Sequence, residues 1–214
     1  MTGALSLLPA PYVLPRLVRR TELSPGEWVG MQLDGVLVPL TDDVAITGER
    51  PADAADRARA LAPALPRHGV IGRASAAWVH AGGSPPGRAC VLVPVGVRRP
   101  NARPDRTSAE TVFASDDIVL VGGVAVTAPV RTGADVARWL EPSDAVERLV
   151  GLAAAGVDLE DVRRRLDAMT GRRHVRRACS ALDAAQDRTS GHEATARSDL
   201  GQRSVSSGRA PVSR

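Results

Sequence analysis

The chain has 214 residues, which is room for one full domain and a smaller second one. Hydrophobic residues make up 43% of it and aromatic residues only 2%, so a core must be built mainly from Ala, Val and Leu. All 28 basic residues are Arg, and the net charge is +4. This modest excess of positive charge does not by itself indicate a polyanionic partner.

Cysteine spacing and hydropathy set further limits. Cys90 and Cys179 fit no metal or redox motif, and no apolar run reaches the roughly 18 residues that a membrane helix needs. We therefore expect a reduced, cytoplasmic protein with no membrane partner and no cofactor.

The first 48 residues predict a small winged-helix-like unit. Pro15 is suited to the first turn of a helix over residues 16–23. Ser24 and Glu27 then form a capping box that begins a second helix, which Gly35 ends. Two short strands follow around a turn-prone Thr-Asp-Asp, and two helices with a hairpin are the outline of a winged helix.

Residues 49–186 predict a mixed α/β domain that ends in a helical bundle. Helical spacing is found over 52–65, in a short helix that Ser75 would cap and that ends at His80, and over 134–140, 144–155, 158–171 and 172–185. Strand patterns lie at 70–71, 90–95, 118–121 and 124–126, the last two joined by Gly122-Gly123. Residues 187–214 lack apolar periodicity and predict a disordered tail. The predicted fold class is α+β.

Charge is distributed unevenly along the chain. Residues 21–49 carry six acidic side chains and no basic one, whereas 163–177 carry seven arginines against one aspartate, and 88–106 carry five against one. Phosphate contacts dominate nucleic-acid affinity. The candidate phosphate contacts are therefore Arg16, Arg19, Arg20, Arg163, Arg164, Arg172, Arg173, Arg176 and Arg177. The alternatives are a solvated helix face for 163–177 and a mobile connector for 97–106.

The order of four stretches resembles the AbiEi-type antitoxins of type IV toxin–antitoxin systems, in their actinobacterial form. RRTELSPGEWVGMQLDGVLVPLTDDVAI is similar to the winged-helix half of that family, and IGRASAAWVHAG to a segment in which a helix follows a strand. VGGVAVTAPVRTGADVARWL is the closest match, and GRRHVRRACSALDAA is similar to the last basic helix.

This resemblance implies a transcriptional regulator that binds double-stranded operator DNA, represses its own operon and counters a nucleotidyltransferase-like toxin. The chain departs from the family where Arg or Lys is usual, because the second helix and wing carry Glu27, Gln32, Asp42 and Asp43. Acidic groups are repelled by phosphates, and no arginine is present there to read guanine. The alternative is a protein-interaction module whose degenerate winged helix no longer binds DNA. RNA binding through 163–177 is a third hypothesis.

No catalytic pattern is evident, so we expect no enzyme and no metal site. The four histidines are scattered, and no phosphate loop or nucleophile elbow occurs. Arg131, Thr132 and Asp135 predict a buried Arg–Asp pair with a Thr cap, which is a structural device. Trp28, Trp78 and Trp139 are expected to anchor the core.

Overall fold

The computed structural model describes the backbone of residues 14–97 and 100–206, and side chains as far as residue 191. The fold is α+β, as predicted: a small N-terminal sheet with one helix, a central mixed sheet, and helices at the C-terminal side. The strands are β1 Leu17–Arg19, β2 Leu37–Thr41, β3 Val44–Thr47, β4 Val70–Ile71, β5 Ala89–Pro94, β6 Arg106–Thr111, β7 Ile118–Val121 and β8 Val124–Thr127. The helices are α1 Pro25–Leu33, α2 Ala54–Leu61, α3 Arg73–Ala81, α4 Pro129–Trp139, α5 Pro142–Ala154, α6 Leu159–Asp167 and α7 Val175–Ser206.

The N-terminal sheet is antiparallel in the order β1-β3-β2, and α1 packs against it. Its core holds Val18, Trp28, Leu37 and Ala45. The capping box predicts the start of α1 correctly: the Ser24 hydroxyl accepts the Glu27 N–H, and the Glu27 carboxylate accepts the Ser24 N–H. These two bonds satisfy backbone donors that the first helical turn leaves unpaired.

The predicted helix over 16–23 is wrong. That segment forms β1 and then a single 3-10 turn at Arg20–Glu22. Val18 is buried while its two neighbours are half-buried, and the strand pairs with β3 along its whole length. Pairing with an existing hairpin satisfies these backbone groups, and a three-residue edge strand leaves too short a pattern to be recognised in the sequence.

The central sheet has the order β6-β5-β4-β8-β7. The pairs β5–β6 and β4–β8 are parallel, whereas β4–β5 and β7–β8 are antiparallel. Predicted strands β4, β5, β7 and β8 are confirmed, but β6 falls in a stretch with no predicted strand. Its sequence RTSAET is largely polar because it forms an edge of the sheet, where one side of the strand faces solvent.

Ser75 does not cap a helix, contrary to prediction. Gly72 precedes the first turn of α3, and Ser75 lies fully buried within the helix, where its hydroxyl accepts the Cys90 N–H at 2.8 Å. The start of α3 lies so close to β5 that a Cβ on Gly72 would come within 2.4 Å of Leu92. This close approach brings the first residue of α3, Arg73, to the edge of the cleft described below.

Core packing crosses the predicted boundary at residue 48. Leu17, Leu40 and Val44 of the N-terminal sheet pack in the same apolar cluster as Trp78 and Ile71 of the central domain. The N-terminal unit therefore rests directly on α2 and the central sheet.

The C-terminal helices α4–α7 share one apolar cluster with Ala77 of α3, and Leu149, Leu152, Leu166 and Leu182 are fully buried there. A Cβ on Gly133 of α4 would lie 2.7 Å from Val162 of α6, so these two helices approach closely. The helix α4 begins earlier than predicted, because Pro129 occupies its first turn.

The backbone of α7 continues to Ser206, into the segment after residue 186 that was predicted as a disordered tail. Among the side chains that the structure describes, Ala185 is the last on the core face of this helix. Residues 207–214 lie outside the described part of the chain.

Candidate functional site: an arginine-lined cleft

A buried ionic cluster forms the floor of a cleft between the central sheet and the C-terminal helices. Arg131 of α4 donates from Nε to Asp135 at 2.8 Å and pairs through Nη1 with Asp117, which also pairs with Arg165 of α6. The third nitrogen of Arg131 donates to Thr111 of β6 at 2.9 Å. Asp117 is 1% exposed and Asp135 is 2% exposed. One cluster thus ties together β6, the β6–β7 loop, α4 and α6.

The predicted Arg–Asp pair is confirmed as a buried pair, but the threonine acts differently from prediction. Thr132 does not cap α4: its hydroxyl donates to the Thr127 carbonyl at 2.9 Å and lies 2.7 Å from the Thr127 hydroxyl. Burial lowers the pKa of the Arg131 guanidinium, whereas the carboxylates of Asp135 and Asp117 raise it. The carboxylates have the larger effect, so the pKa is raised above its usual value. Arg131 therefore stays charged and holds the floor.

The cleft above this floor has a volume of about 970 Å³. One wall is formed by β6 and the β6–β7 loop, and the opposite one by α3, α4, α6 and the α6–α7 loop. Six arginines line the cleft: Arg73, Arg131, Arg138, Arg164, Arg165 and Arg172. Five acidic residues also line it, of which Asp117 and Asp135 lie in the floor and Asp161 pairs with Arg164.

Trp139 organises the helical wall of the cleft. The guanidinium of Arg73 lies 4.8 Å from the Trp139 ring centroid, that of Arg138 lies 5.3 Å from it, and His174 meets the ring edge-on at 5.2 Å. Trp139 is 40% exposed, so it is not the core anchor that was predicted. Trp28 and Trp78, at 5% and 1% exposed, are confirmed as core anchors.

The three arginines near the N-terminus that were predicted to contact phosphate differ in burial and in their bonds to the protein. Arg16 is held internally: it pairs with Asp56 at 3.0 Å and donates to the carbonyls of Thr47, Arg50 and Pro51. Arg19 is half-buried and makes a long contact, 3.5 Å, with the Arg59 carbonyl. Arg20 is exposed. Only Arg20 presents its charge fully to solvent.

The C-terminal candidates also divide into two groups. Arg163 pairs with Asp183 and donates to Gln186 at 2.9 Å, Arg164 pairs with Asp161, and Arg177 donates to the Leu140 carbonyl and lies 3.5 Å from Glu141. Arg172, Arg173 and Arg176 are exposed. Arg172 lines the cleft, and the carbonyl of Arg173 accepts long hydrogen bonds from Arg138. Arg98 and Arg99 of the predicted basic loop lie outside the described residues.

Sequence reasoning did not identify Arg73 and Arg138 as site residues. Each is an isolated arginine in a helix, so no local charge cluster marks it. The signal that was present is the pair Arg138-Trp139, an aromatic ring beside a cation near the end of a helix. Only the folded structure shows that Arg73 and Arg138 lie against the same ring, Trp139.

The N-terminal unit presents a surface of the opposite character. Val29 and Leu33 of α1, with Val36 and Val38 at and beside β2, are 43–83% exposed. Gln32 and Asp42 line a second cleft, together with Gly82 and Gly83, which follow α3. The helix that would read bases in a winged helix thus carries aliphatic side chains on its exposed face.

Within the described residues, no cluster of three or more His, Cys, Asp or Glu side chains is arranged to hold a metal ion. None of the helices described here has both the length and the apolarity to cross a bilayer.

Comparisons with known proteins identify a similar solved structure but no family. No family model matches the chain, and no curated protein matches it. Among solved structures, the crystal structure of the RV2827C protein from Mycobacterium tuberculosis is similar, with a TM-score of 0.41 and 19% sequence identity. That match covers 80% of this chain and 72% of the other. Similarity at this level assigns no family.

Proposed function

We propose that the chain is a DNA-binding transcriptional regulator of the antitoxin type, which represses its own operon and counters a nucleotidyltransferase-like toxin. The observation that carries DNA binding is the group of exposed arginines Arg172, Arg173 and Arg176 beside the arginine-lined cleft. Clustered cations of this kind contact phosphates and release counterions on binding. The antitoxin role comes from the sequence resemblance alone.

The N-terminal unit supports this proposal through its shape. The helix α1 followed by the β2–β3 hairpin retains the second half of the predicted winged-helix outline, whereas a strand, β1, takes the place of its first helix. Its exposed side chains offer little for base reading, so the duplex backbone would be held mainly by the C-terminal arginines, with Arg20 as the remaining N-terminal contact.

The test measures fluorescence anisotropy of a labelled duplex from the region upstream of the gene, against a scrambled duplex, over a range of salt concentrations. Replacing Arg172, Arg173 and Arg176 with Ala should weaken binding at least tenfold and reduce the salt slope by about two to three contacts. The control replaces Arg59, Arg67 and Arg103, which removes the same charge elsewhere. Equal losses in both variants, or an unchanged slope in the first, would exclude this arginine group as the contact surface.

The second proposal is a protein-interaction module, and a specific observation favours it. The exposed aliphatic residues of α1 and β2 share these elements and the turns beside them with the exposed carboxylates of Glu27, Asp34 and Asp42, a combination suited to a partner with an apolar anchor and basic rim. Replacing Asp42 and Asp43 with Arg tests whether the hairpin takes part in DNA binding. Tighter duplex binding would indicate that the hairpin lies near phosphate, whereas unchanged binding would mean that it faces elsewhere.

A further inference from the structure

We propose that the cleft is a binding site for a terminal phosphate group, such as that of a nucleoside 5′-monophosphate, held by Arg73, Arg138 and Arg172. This site goes beyond duplex binding, because it would recognise a terminal phosphate group, whereas a duplex offers phosphodiesters along its length. Its volume of about 970 Å³ is at the upper end of the range typical of small-molecule sites.

The first argument is that these arginines converge without carboxylates of their own. Within the described residues, the side chains of Arg73 and Arg172 make no ion pair and no hydrogen bond to the protein. Arg138 donates only to the Arg173 carbonyl, at 3.3–3.4 Å, and to the Met169 sulfur. The nearest buried carboxylate, Asp135, is already bonded to Arg131 at 2.8 Å.

The second argument is that the convergence is electrostatically unfavourable while the cleft is empty. Burial lowers the pKa of the Arg138 guanidinium, Asp135 opposes this, and the charges of Arg131, Arg172 and Arg73 lower it further. Like charges held this close are stabilised by an anion between them. A bound phosphate would supply that charge.

The third argument concerns a donor with no partner. Nε of Arg73 and Nε of Arg165, which both line the cleft, are buried without a hydrogen-bond partner among the described residues, as are Nε of Arg106 and Nε of Arg177, which do not line it. Buried donors in folded proteins are nearly always paired, and two of these four exceptions lie on arginines that line the cleft. Arg73 also has φ of +51°, a conformation that is uncommon for a side-chain-bearing residue and tends to occur at ligand sites.

Trp139 explains how the arginines stay available. A guanidinium stacked on an aromatic ring is held by its flat face, so its N–H groups remain free to donate at the edge. Trp139 therefore orients Arg73 and Arg138 without consuming their donors. The same ring provides the signal for a test, because Trp28 and Trp78 are buried and Trp139 is the exposed tryptophan of the described chain.

The experiment follows tryptophan fluorescence of the full-length protein at constant ionic strength. The titrants are inorganic phosphate, adenosine 5′-monophosphate, adenosine, and a single-stranded oligonucleotide with either a 5′-phosphate or a 5′-hydroxyl. We expect saturable quenching by the monophosphate and none by adenosine. A response to the 5′-phosphorylated strand but not to the free nucleotide would identify a nucleic-acid end as the source of the phosphate, and the reverse would identify a free nucleotide.

Variants connect the signal to the site. Replacing Arg73 or Arg172 with Met keeps the aliphatic stem and removes the charge, and should weaken binding at least tenfold. Arg67, which is exposed, does not line the cleft and has no role in the proposed DNA contact, is the matched control, and R67M should bind within twofold of the parent. Calorimetric titration of W139F checks binding without the reporter, and circular dichroism checks the fold of each variant.

Three outcomes would overturn the proposal: no saturable response to any phosphate-bearing titrant, equal affinity for the 5′-hydroxyl strand, or an equal loss of affinity in R67M. The second outcome would still be compatible with duplex binding, and a failure of duplex binding would leave the nucleotide titration unaffected. The two proposals can therefore fail separately.

Discussion

Two buried carboxylates in this protein are each held by two arginines, and the difference between them shows what sets the cost of breaking such a cluster. Asp56 of α2 pairs with Arg16 at 3.0 Å and Arg50 at 3.1 Å, where the N-terminal sheet meets the central domain. Asp117 pairs with Arg131 and Arg165 in the floor of the cleft. Both carboxylates are 1% exposed, so their own burial is the same.

The guanidinium groups are not equally buried. The side chains of Arg16 and Arg50 are 26% and 56% exposed, whereas that of Arg131 is 7% exposed and also holds a second buried carboxylate, Asp135. Water can replace an exposed partner but not a buried one. The floor of the cleft should therefore be much more sensitive to substitution than the junction at Asp56.

The largest effect is expected for Arg131→Leu. This change leaves Asp117 with Arg165 alone and Asp135 with no direct partner, and removing one member of a buried pair costs about 3–5 kcal/mol. Urea denaturation at neutral pH measures the loss. A cost below that of Arg16→Leu would reverse the ranking of the two clusters.

Arg16→Leu should cost less, about 2 kcal/mol, in the range for leaving buried acceptors short of a donor. Asp56 keeps Arg50, and water can reach the vacated position because Arg16 is partly exposed. Adding R131L to R16L should give an additive double variant if the two clusters are independent. A coupling energy above about 0.5 kcal/mol would show that they form one network.

Gly133→Ala tests how the cleft floor is assembled. Arg131 on α4 and Arg165 on α6 reach the same carboxylate because these helices touch at Gly133 and Val162. An added methyl group would overlap Val162, and the repacking should cost about 1–2 kcal/mol. Gly151→Ala on α5, where the new Cβ would lie 3.7 Å from Ala81, is the control and should leave stability unchanged or slightly higher.

Arg50→Leu should shift the urea midpoint by very little. This arginine is mostly exposed and its charge is already screened by water, although it contacts both Asp53 and Asp56. A shift as large as that of R16L would mean that exposure does not decide the cost at this junction.

The smallest effect is expected for the pH dependence of the free energy of unfolding that His80 causes. Burial lowers the pKa of His80 below 6.5, despite its 2.7 Å hydrogen bond to the Thr127 carbonyl. The stability that neutral His80 contributes is therefore complete above pH 6.5 and is lost as pH falls through its lowered pKa. Unfolding at pH 7.5 and 5.5 should differ less for His80→Gln than for the parent. An identical difference in both would assign the pH dependence to other groups.

Local signals in the sequence predict much of the fold. The capping box at Ser24 and Glu27, the Gly122-Gly123 hairpin and the apolar stripe of α5 each lie within one element, so neighbouring residues are enough to identify them. The pair Arg131 and Asp135 is one helical turn apart, so its contact could be predicted for the same reason.

The site depends on partners that are distant in sequence, and this is why it could be predicted only in part. Arg16 is used internally by a carboxylate 40 residues away, and Arg165 by one 48 residues away. No local pattern separates these arginines from Arg172, whose donors remain available. The strands β1 and β6 were missed because β1 has only three residues and β6, RTSAET, is largely polar, so neither shows a continuous apolar run or a long alternation.

The parallel pairing of β4 with β8 has a consequence for how the protein folds. The pair joins Ile71 to Val126, and the chain between them holds α3 and three strands. Closing this long loop costs conformational entropy, which the chain loses before the contact can stabilise it. The helices α5–α7 are local by comparison and can form earlier. The cleft has walls from both sides of this pairing and exists only once the chain has closed. Any anion that occupies it would bind the native state alone and so slow or oppose global unfolding, which links ligand concentration to the lifetime of the folded protein.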